Sequence, residues 1–244
     1  MNILVCISVV PDTTSKLTID SSTGKIDKRS LTMIVGPYDD YALSRAVEIK
    51  ESTQGNLTVL YVGNDPSSEQ ILRKCLAIGA DEAFRVDVEA TSSKQVANEI
   101  VHFAKDKKFD LILMGKESID TNGGVVHHLV AKGLGFSHFN PVMQLEVKSN
   151  DSIEIKLEIE NGTALLEVGL PAVLGCQEPI AEWKIPSMRG IMMARTKPLT
   201  VLNSSLNVQN EHLSDTVIEK NRLQKVLKIE DIKTVAEVIN NLIK

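Results

Sequence analysis

Residues 2–10 read Asn2-Ile3-Leu4-Val5-Cys6-Ile7-Ser8-Val9-Val10, a near-continuous apolar run rich in Ile and Val. A strand buried on both faces of a parallel sheet requires such a run, because neither face meets water. Comparable runs recur at 57–62 (LTVLYV), 82–87 (EAFRVD) and 111–114 (LILM). The segments between them carry helical spacing. Leu43, Ala46, Val47 and Lys50 form one stripe behind possible caps at Asp39 or Asp40. A second helix is predicted to open at Asp65-Pro66 and stop at Gly79, and a third to run from about Ser93 to Lys107 with Val96, Ile100, Val101 and Ala104 on one side. This alternation predicts an α/β fold: a doubly wound, mostly parallel, Rossmann-like sheet.

Beyond Gly135 the pattern changes. VMQLEVK (142–148), SIEIKLEIE (152–160) and ALLEVGL (164–170) are extended, and Asn161-Gly162 between the last two is a two-residue hairpin signal. The sheet is expected to gain an antiparallel extension there. From about residue 203 apolar density falls, then recovers in a final helix with Ile232, Val235, Ala236, Ile239, Leu242 and Ile243 on one face. The division expected is a nucleotide-binding α/β domain over 1–200 and a C-terminal helical tail over 201–244 that docks on its own core or on a partner.

The 244 residues, 43% hydrophobic and 24% charged, suffice for a sizeable core, and a net charge of -5 offers no general attraction to nucleic acid or to an anionic membrane. Cys6, Cys75 and Cys176 form no CxxC pair, so they are read as reduced core thiols rather than zinc or cluster ligands. The N-terminus runs straight into the first apolar segment without a targeting pattern, and no run approaches ~18 apolar residues, so no membrane insertion and a cytoplasmic location are expected.

In an open parallel sheet ligands bind beyond the carboxyl ends of the strands. Three loops fall there: Val10-Pro11-Asp12-Thr13, Gly36-Pro37-Tyr38-Asp39, and Gly115 to Gly124. The third ends in Gly123-Gly124 directly before a helix predicted over 125–133, so an anion can approach its backbone closely, with Ser118, Thr121 and Asn122 as neutral donors. Neither GxxxxGK[ST] nor GxGxxG occurs, which argues against a P-loop nucleotidase or a nicotinamide dehydrogenase. His127 and His128 are adjacent helical residues, about 100° apart around the axis, and are not expected to chelate one ion from a single face. Asp12, Asp39 and Asp120 are read as capping and turn residues, since no nucleophile accompanies them.

Four ordered stretches resemble the beta subunits of electron-transfer flavoproteins: ILVCISVVPDT (3–13), LRKCLAIGADEAFRV (72–86), FDLILMGKESID (109–120) and AEWKIPSMRGIMMARTKPL (181–199). The resemblance implies an electron carrier rather than an enzyme, paired with an alpha subunit that binds most of an FAD, while this chain holds AMP. It places AMP contacts at Cys6, Gly36, Pro37, Tyr38, Asp39, Val62, Gly115, Lys116, Glu117, Ser118, Asp120, Gly123, Gly124, Val125 and Val126, with Thr13 near the flavin ring. It makes 181–197 a partner-recognition loop in which Met188 is the anchor, with Ile185, Arg189, Ile191 and Met192 beside it. Lys184, Arg189, Arg195 and Lys197 form a basic collar. Electrons would come from acyl-CoA-type dehydrogenases and leave to a quinone reductase, and the C-terminal tail would dock on the alpha subunit. The chain departs from the family at Gly36 (often Asn), Glu117 (Gln) and Trp183-Lys184 (Pro-Arg). Two rival readings are a bifurcating flavoprotein with a second FAD in place of AMP, and a free-standing adenine-nucleotide sensor.

Overall fold

The structure is a computed structural model that describes residues 1–20, 26, 27, 29, 31–204, 206 and 236. The chain divides into two units, one of Met1–Thr18 with Asp27–Leu213 and one of Ile19–Ile26 with Ser214–Lys244. In the second, Ile19 and Ile26 form an antiparallel bridge. Of the expected final helix only Ala236 is described, and it is helical; Ile232, Val235, Ile239, Leu242 and Ile243 lie outside the described residues.

The first unit is built on a parallel sheet whose central strands are β1 (Asn2–Ile7), β4 (Asn56–Val62), β5 (Glu82–Asp87), β6 (Leu111–Gly115) and β10 (Ala172–Cys176). Alternate side chains feed two separate cores. Ile3, Val5, Leu57, Val59, Leu111 and Leu113 pack on α1 (Pro37–Thr53) and α2 (Ser68–Ile78). Leu4, Cys6, Leu60, Val62, Ile112 and Met114 pack on α3 (Ser93–Ala104) and α4 (Val126–Leu134). Both faces being covered explains why the strands read as unbroken apolar runs. Three further strands, β7 (Ser137–Val147), β8 (Ser152–Ile159) and β9 (Gly162–Gly169), extend one edge, and β11 (Leu199–Asn203) closes the other. The order among the described residues is β11-β5-β4-β1-β6-β10-β7-β8-β9. The β7–β8–β9 pairings are antiparallel as expected, whereas β10 lies parallel between β6 and β7. Among the described residues no helix is long and apolar enough to cross a membrane.

This is the doubly wound α/β fold expected, with four local corrections. The run 2–10 is not one strand: it breaks at Ser8, and β2 (Val9–Pro11) leaves the sheet to pair antiparallel with β3 (Met33–Val35). Asp39 and Asp40 are not caps; Gly36 occupies the cap position of α1 and both aspartates are buried in its first turn. Asp65-Pro66 makes a turn in which Asp65 Oδ1 accepts from Ser67 N at 2.9 Å, so α2 starts later, at Ser68. The β8–β9 turn is centred on Glu160-Asn161, one residue before the expected pair, and Gly162 opens the returning strand at φ 142°.

Candidate functional site

The topological switch point lies at β1, which has β4 on one side and β6 on the other. The chain passes from β1 to β4 and β5 with α1 and α2 on one face, then returns to β6 with α3 on the opposite face. The loops leaving the carboxyl ends of β1 and β6 therefore diverge and leave a crevice between them.

One side chain ties the walls of this crevice together. Asp39 Oδ2 accepts hydrogen bonds from Ser8 N at 2.8 Å and Ser8 Oγ at 2.5 Å, and its Oδ1 accepts from Gly115 N at 2.7 Å. A single buried carboxylate thus joins the end of β1, the end of β6 and the first turn of α1. Burial pushes its pKa up to about 6, against the three donors, which favour the ionised form. Gly115 is required by close approach: a Cβ there would lie 2.7 Å from Asp39 Oδ1 and 2.8 Å from Tyr38 Cβ. Sequence reasoning placed Asp39 at the site but missed Ser8, whose signal was a lone hydroxyl inside the first apolar run.

Several of the residues named from the sequence stand around this joint. Cys6, one residue before the end of β1, and Val62, at the end of β4, face the α3–α4 side, where Val126 packs on the same cluster. The Cys6 thiol is buried beside Asp39, and desolvation above all holds it protonated. Lys116 Nζ stands 4.8 Å from the Tyr38 ring centre and 4.0 Å from Glu117 Oε1, so the loop brings both a cation and an opposing carboxylate. Ser118 Oγ donates to Asp120 Oδ1 at 2.5 Å and Asn122 N donates to the Ser118 carbonyl at 2.7 Å, folding 118–122 into a tight turn. Gly124 then adopts φ 56°, a left-handed conformation open to glycine, just before α4. A Cβ on Gly124 would come no nearer than 3.7 Å to any atom, so the requirement is conformational and the space over the backbone is open. The first turn of α4 leaves N–H groups without intrahelical acceptors, and these residues fit the close approach of a phosphate. Thr13, expected near the flavin ring, is exposed two residues beyond β2.

The histidines depart from expectation. His127 Nδ1 lies 2.8 Å from His138 Nε2 and 3.3 Å from His128 Nδ1, while His127 Nε2 meets the Lys116 carbonyl at 2.8 Å. The two helical side chains converge because a third histidine, on β7, faces them.

The segment 181–197 is not a simple loop. It contains α5 (Met188–Ala194), capped by Ser187 Oγ, which accepts from Gly190 N at 3.0 Å. Both ends are fastened: Lys184 N donates to Ser44 Oγ at 3.2 Å on α1, and Arg73 Nη1 of α2 donates to the Ala194 and Lys197 carbonyls, each at 2.8 Å. Lys197 Nζ donates to the carbonyls of Leu76 and Ala80, so the expected collar loses this member to a structural task. Between the fastenings Ile185 is 87%, Met188 78% and Met192 69% exposed, an apolar crest held in place rather than a floppy arm.

Comparison with known proteins decides the family. Residues 23–207 match the Electron transfer flavoprotein domain. The chain is 32% identical over 206 residues to "Electron transfer flavoprotein subunit beta" of Bacillus subtilis, covering 83% of this chain and 79% of that one. The chain belongs to the electron transfer flavoprotein beta-subunit family. Within this family it is also similar to "Caffeyl-CoA reductase-Etf complex subunit CarD" of Acetobacterium woodii (32% over 211 residues, 83% and 78% covered). A third relative is "Acryloyl-CoA reductase electron transfer subunit gamma" of Anaerotignum propionicum (28% over 210 residues, 83% and 78%). Members of this electron transfer flavoprotein family are electron carriers that normally pair with an alpha subunit.

Proposed function

We propose that this chain binds AMP in the switch-point crevice, pairs with an alpha subunit carrying FAD, and relays electrons from an acyl-CoA-type dehydrogenase towards a quinone reductase. The observation that carries the reading is the Asp39 joint, which holds the ends of β1 and β6 at a fixed spacing over a left-handed Gly124 and the open first turn of α4. In this reading the N–H groups of 123–126 hold the phosphate, Lys116 adds charge, and Cys6, Val62 and Val126 form an apolar wall for the adenosine. Gly36, Pro37 and Tyr38 border the opposite side, and Glu117, Ser118 and Asp120 lie toward the sugar. The flavin supplies the redox chemistry when bound. This chain's residues position, shield and dock: Ile185, Met188, Arg189, Ile191 and Met192 meet the dehydrogenase, and an unbranched thioether at Met188 adapts to more than one pocket. The C-terminal tail and Thr13 are assigned to the alpha subunit side.

Gly124→Val tests the crevice. A β-branched residue at φ 56° costs ~1–3 kcal/mol, so the loop should give up the geometry that cradles the phosphate. Nucleotide extracted from the purified variant and quantified by mass spectrometry should fall about tenfold, since ~1.4 kcal/mol is a factor of ten. Unchanged adenylate content would remove the phosphate-cradle role.

A second reading is favoured by the relatives named as subunits of caffeyl-CoA and acryloyl-CoA reductase systems: a second FAD occupies this crevice and the pair bifurcates electrons. The flavin count per heterodimer separates the two, one for the AMP form and two for the bifurcating form.

A further inference from the structure

The side chains of His127, His128 and His138 carry none of the roles assigned above, although the first two stand in the first turn of α4, and their ring nitrogens converge. The three ligand atoms all lie within 4.8 Å of one another. Because the Lys116 carbonyl can only accept, the His127 nitrogen 2.8 Å from it, Nε2, carries the proton and leaves Nδ1 bare. That bare nitrogen faces His138 Nε2 at 2.8 Å and His128 Nδ1 at 3.3 Å. Its single lone pair can take one proton, so hydrogen bonding accounts for one of these approaches and leaves the other a contact between two nitrogens competing for it.

A cation accounts for both. Bonds of 2.0–2.1 Å in a tetrahedral arrangement put ligand nitrogens ~3.3 Å apart; the two spacings from His127 Nδ1, 2.8 and 3.3 Å, lie within about half an ångström of this, and the remaining pair, within 4.8 Å, closes by at most ~1.5 Å through a shift of the exposed His128 side chain. The hydrogen bond from His127 to a backbone carbonyl is the outer-shell partner that orients a metal-bound imidazole. We propose that His127 Nδ1, His128 Nδ1 and His138 Nε2 form a site for a divalent transition ion of the zinc class, with water as a fourth ligand on the side of the exposed His128. Three neutral imidazoles suit zinc, and no thiolate or carboxylate is needed. Such an ion would pin α4 to β7 and, through the Lys116 carbonyl, to the loop leaving β6. The proposal does not depend on which nucleotide the crevice holds.

The test is zinc titration of the full-length, chelator-stripped protein purified with its alpha subunit, using calorimetry, with cobalt(II) as a spectroscopic probe. Expected are one equivalent of bound zinc per chain, visible cobalt bands of tetrahedral type, and an affinity reduced at least about tenfold in both His128→Ala and His138→Gln. His128 is exposed, so its replacement leaves the fold intact and keeps the test decisive should His138→Gln fold poorly. Absence of saturable zinc binding below about 100 μM, where the free energy is already only about 5 kcal/mol, overturns the site. So does binding that His128→Ala leaves unchanged.

Discussion

Asp39→Asn is expected to cost about 1–3 kcal/mol at pH 7, the penalty for leaving a buried backbone donor without its acceptor. The carboxylate serves Ser8 N, Ser8 Oγ and Gly115 N at once. An amide has one acceptor oxygen, so if it faces Gly115 its NH2 opposes Ser8 N–H, and if it faces Ser8 it opposes Gly115 N–H. The pH dependence adds a second signature. The folded pKa of about 6 lies above the ordinary 3.8, so in the window between them the folded state holds a proton that the unfolded state has released. Stability from this group is full below 3.8 and is lost as pH rises through about 6. About two units correspond to ~3 kcal/mol. Urea denaturation of wild type and variant between pH 7.5 and 4 should therefore show the gap between them widening as pH falls through about 6. Parallel curves would mean that Asp39 is ionised throughout and that its burial is offset by the three donors.

Met188→Ala should leave the fold, the bound flavin and the nucleotide unchanged, because a side chain 78% exposed makes little contribution to the core. What should change is the encounter with the dehydrogenase. Truncating an anchor that fills a partner's pocket costs about 2 kcal/mol or more, a factor of about 30. The fall should appear in the second-order rate of flavin reduction by the dehydrogenase, measured by stopped flow on intact heterodimer. The rigid fastening by Arg73, Lys197 and Lys184 N sharpens the expectation. A crest ordered before the encounter spends little entropy on docking. An unchanged rate in Met188→Ala would move the anchor to Ile185 or Met192 or off the crest altogether.

How legible this was from residues alone varied with the range of the interaction. The central strands announced themselves because burial on both faces needs uninterrupted apolar residues, and LTVLYV, EAFRVD and LILM each became a strand within a residue at either end. The break at Ser8 did not, since Val9 and Val10 continue the apolar pattern; what ends β1 is a carboxylate arriving from a segment 31 positions away. The same carboxylate was read as a helix cap because local spacing offered that role and nothing local displayed its distant partners. β10 is equally apolar, but its place between β6 and β7 depends on pairing across the sheet rather than on its own composition. Periodicity put His127 and His128 on divergent directions; only the tertiary position of His138 turns them towards one point. At the crest, sequence pattern picked out the apolar residues and the resemblance suggested their role, while the bonds that fix its shape come from Arg73 on α2, to which no role was given, and from Lys197, read as part of a basic collar.

The most direct test of the account is the small-molecule content of the intact heterodimer, released by denaturation and identified by mass spectrometry alongside an absorbance spectrum. Adenylate bound one to one with this chain, together with one flavin in the pair, is the expected result. A colourless complex that releases neither adenylate nor flavin would contradict the account at its centre.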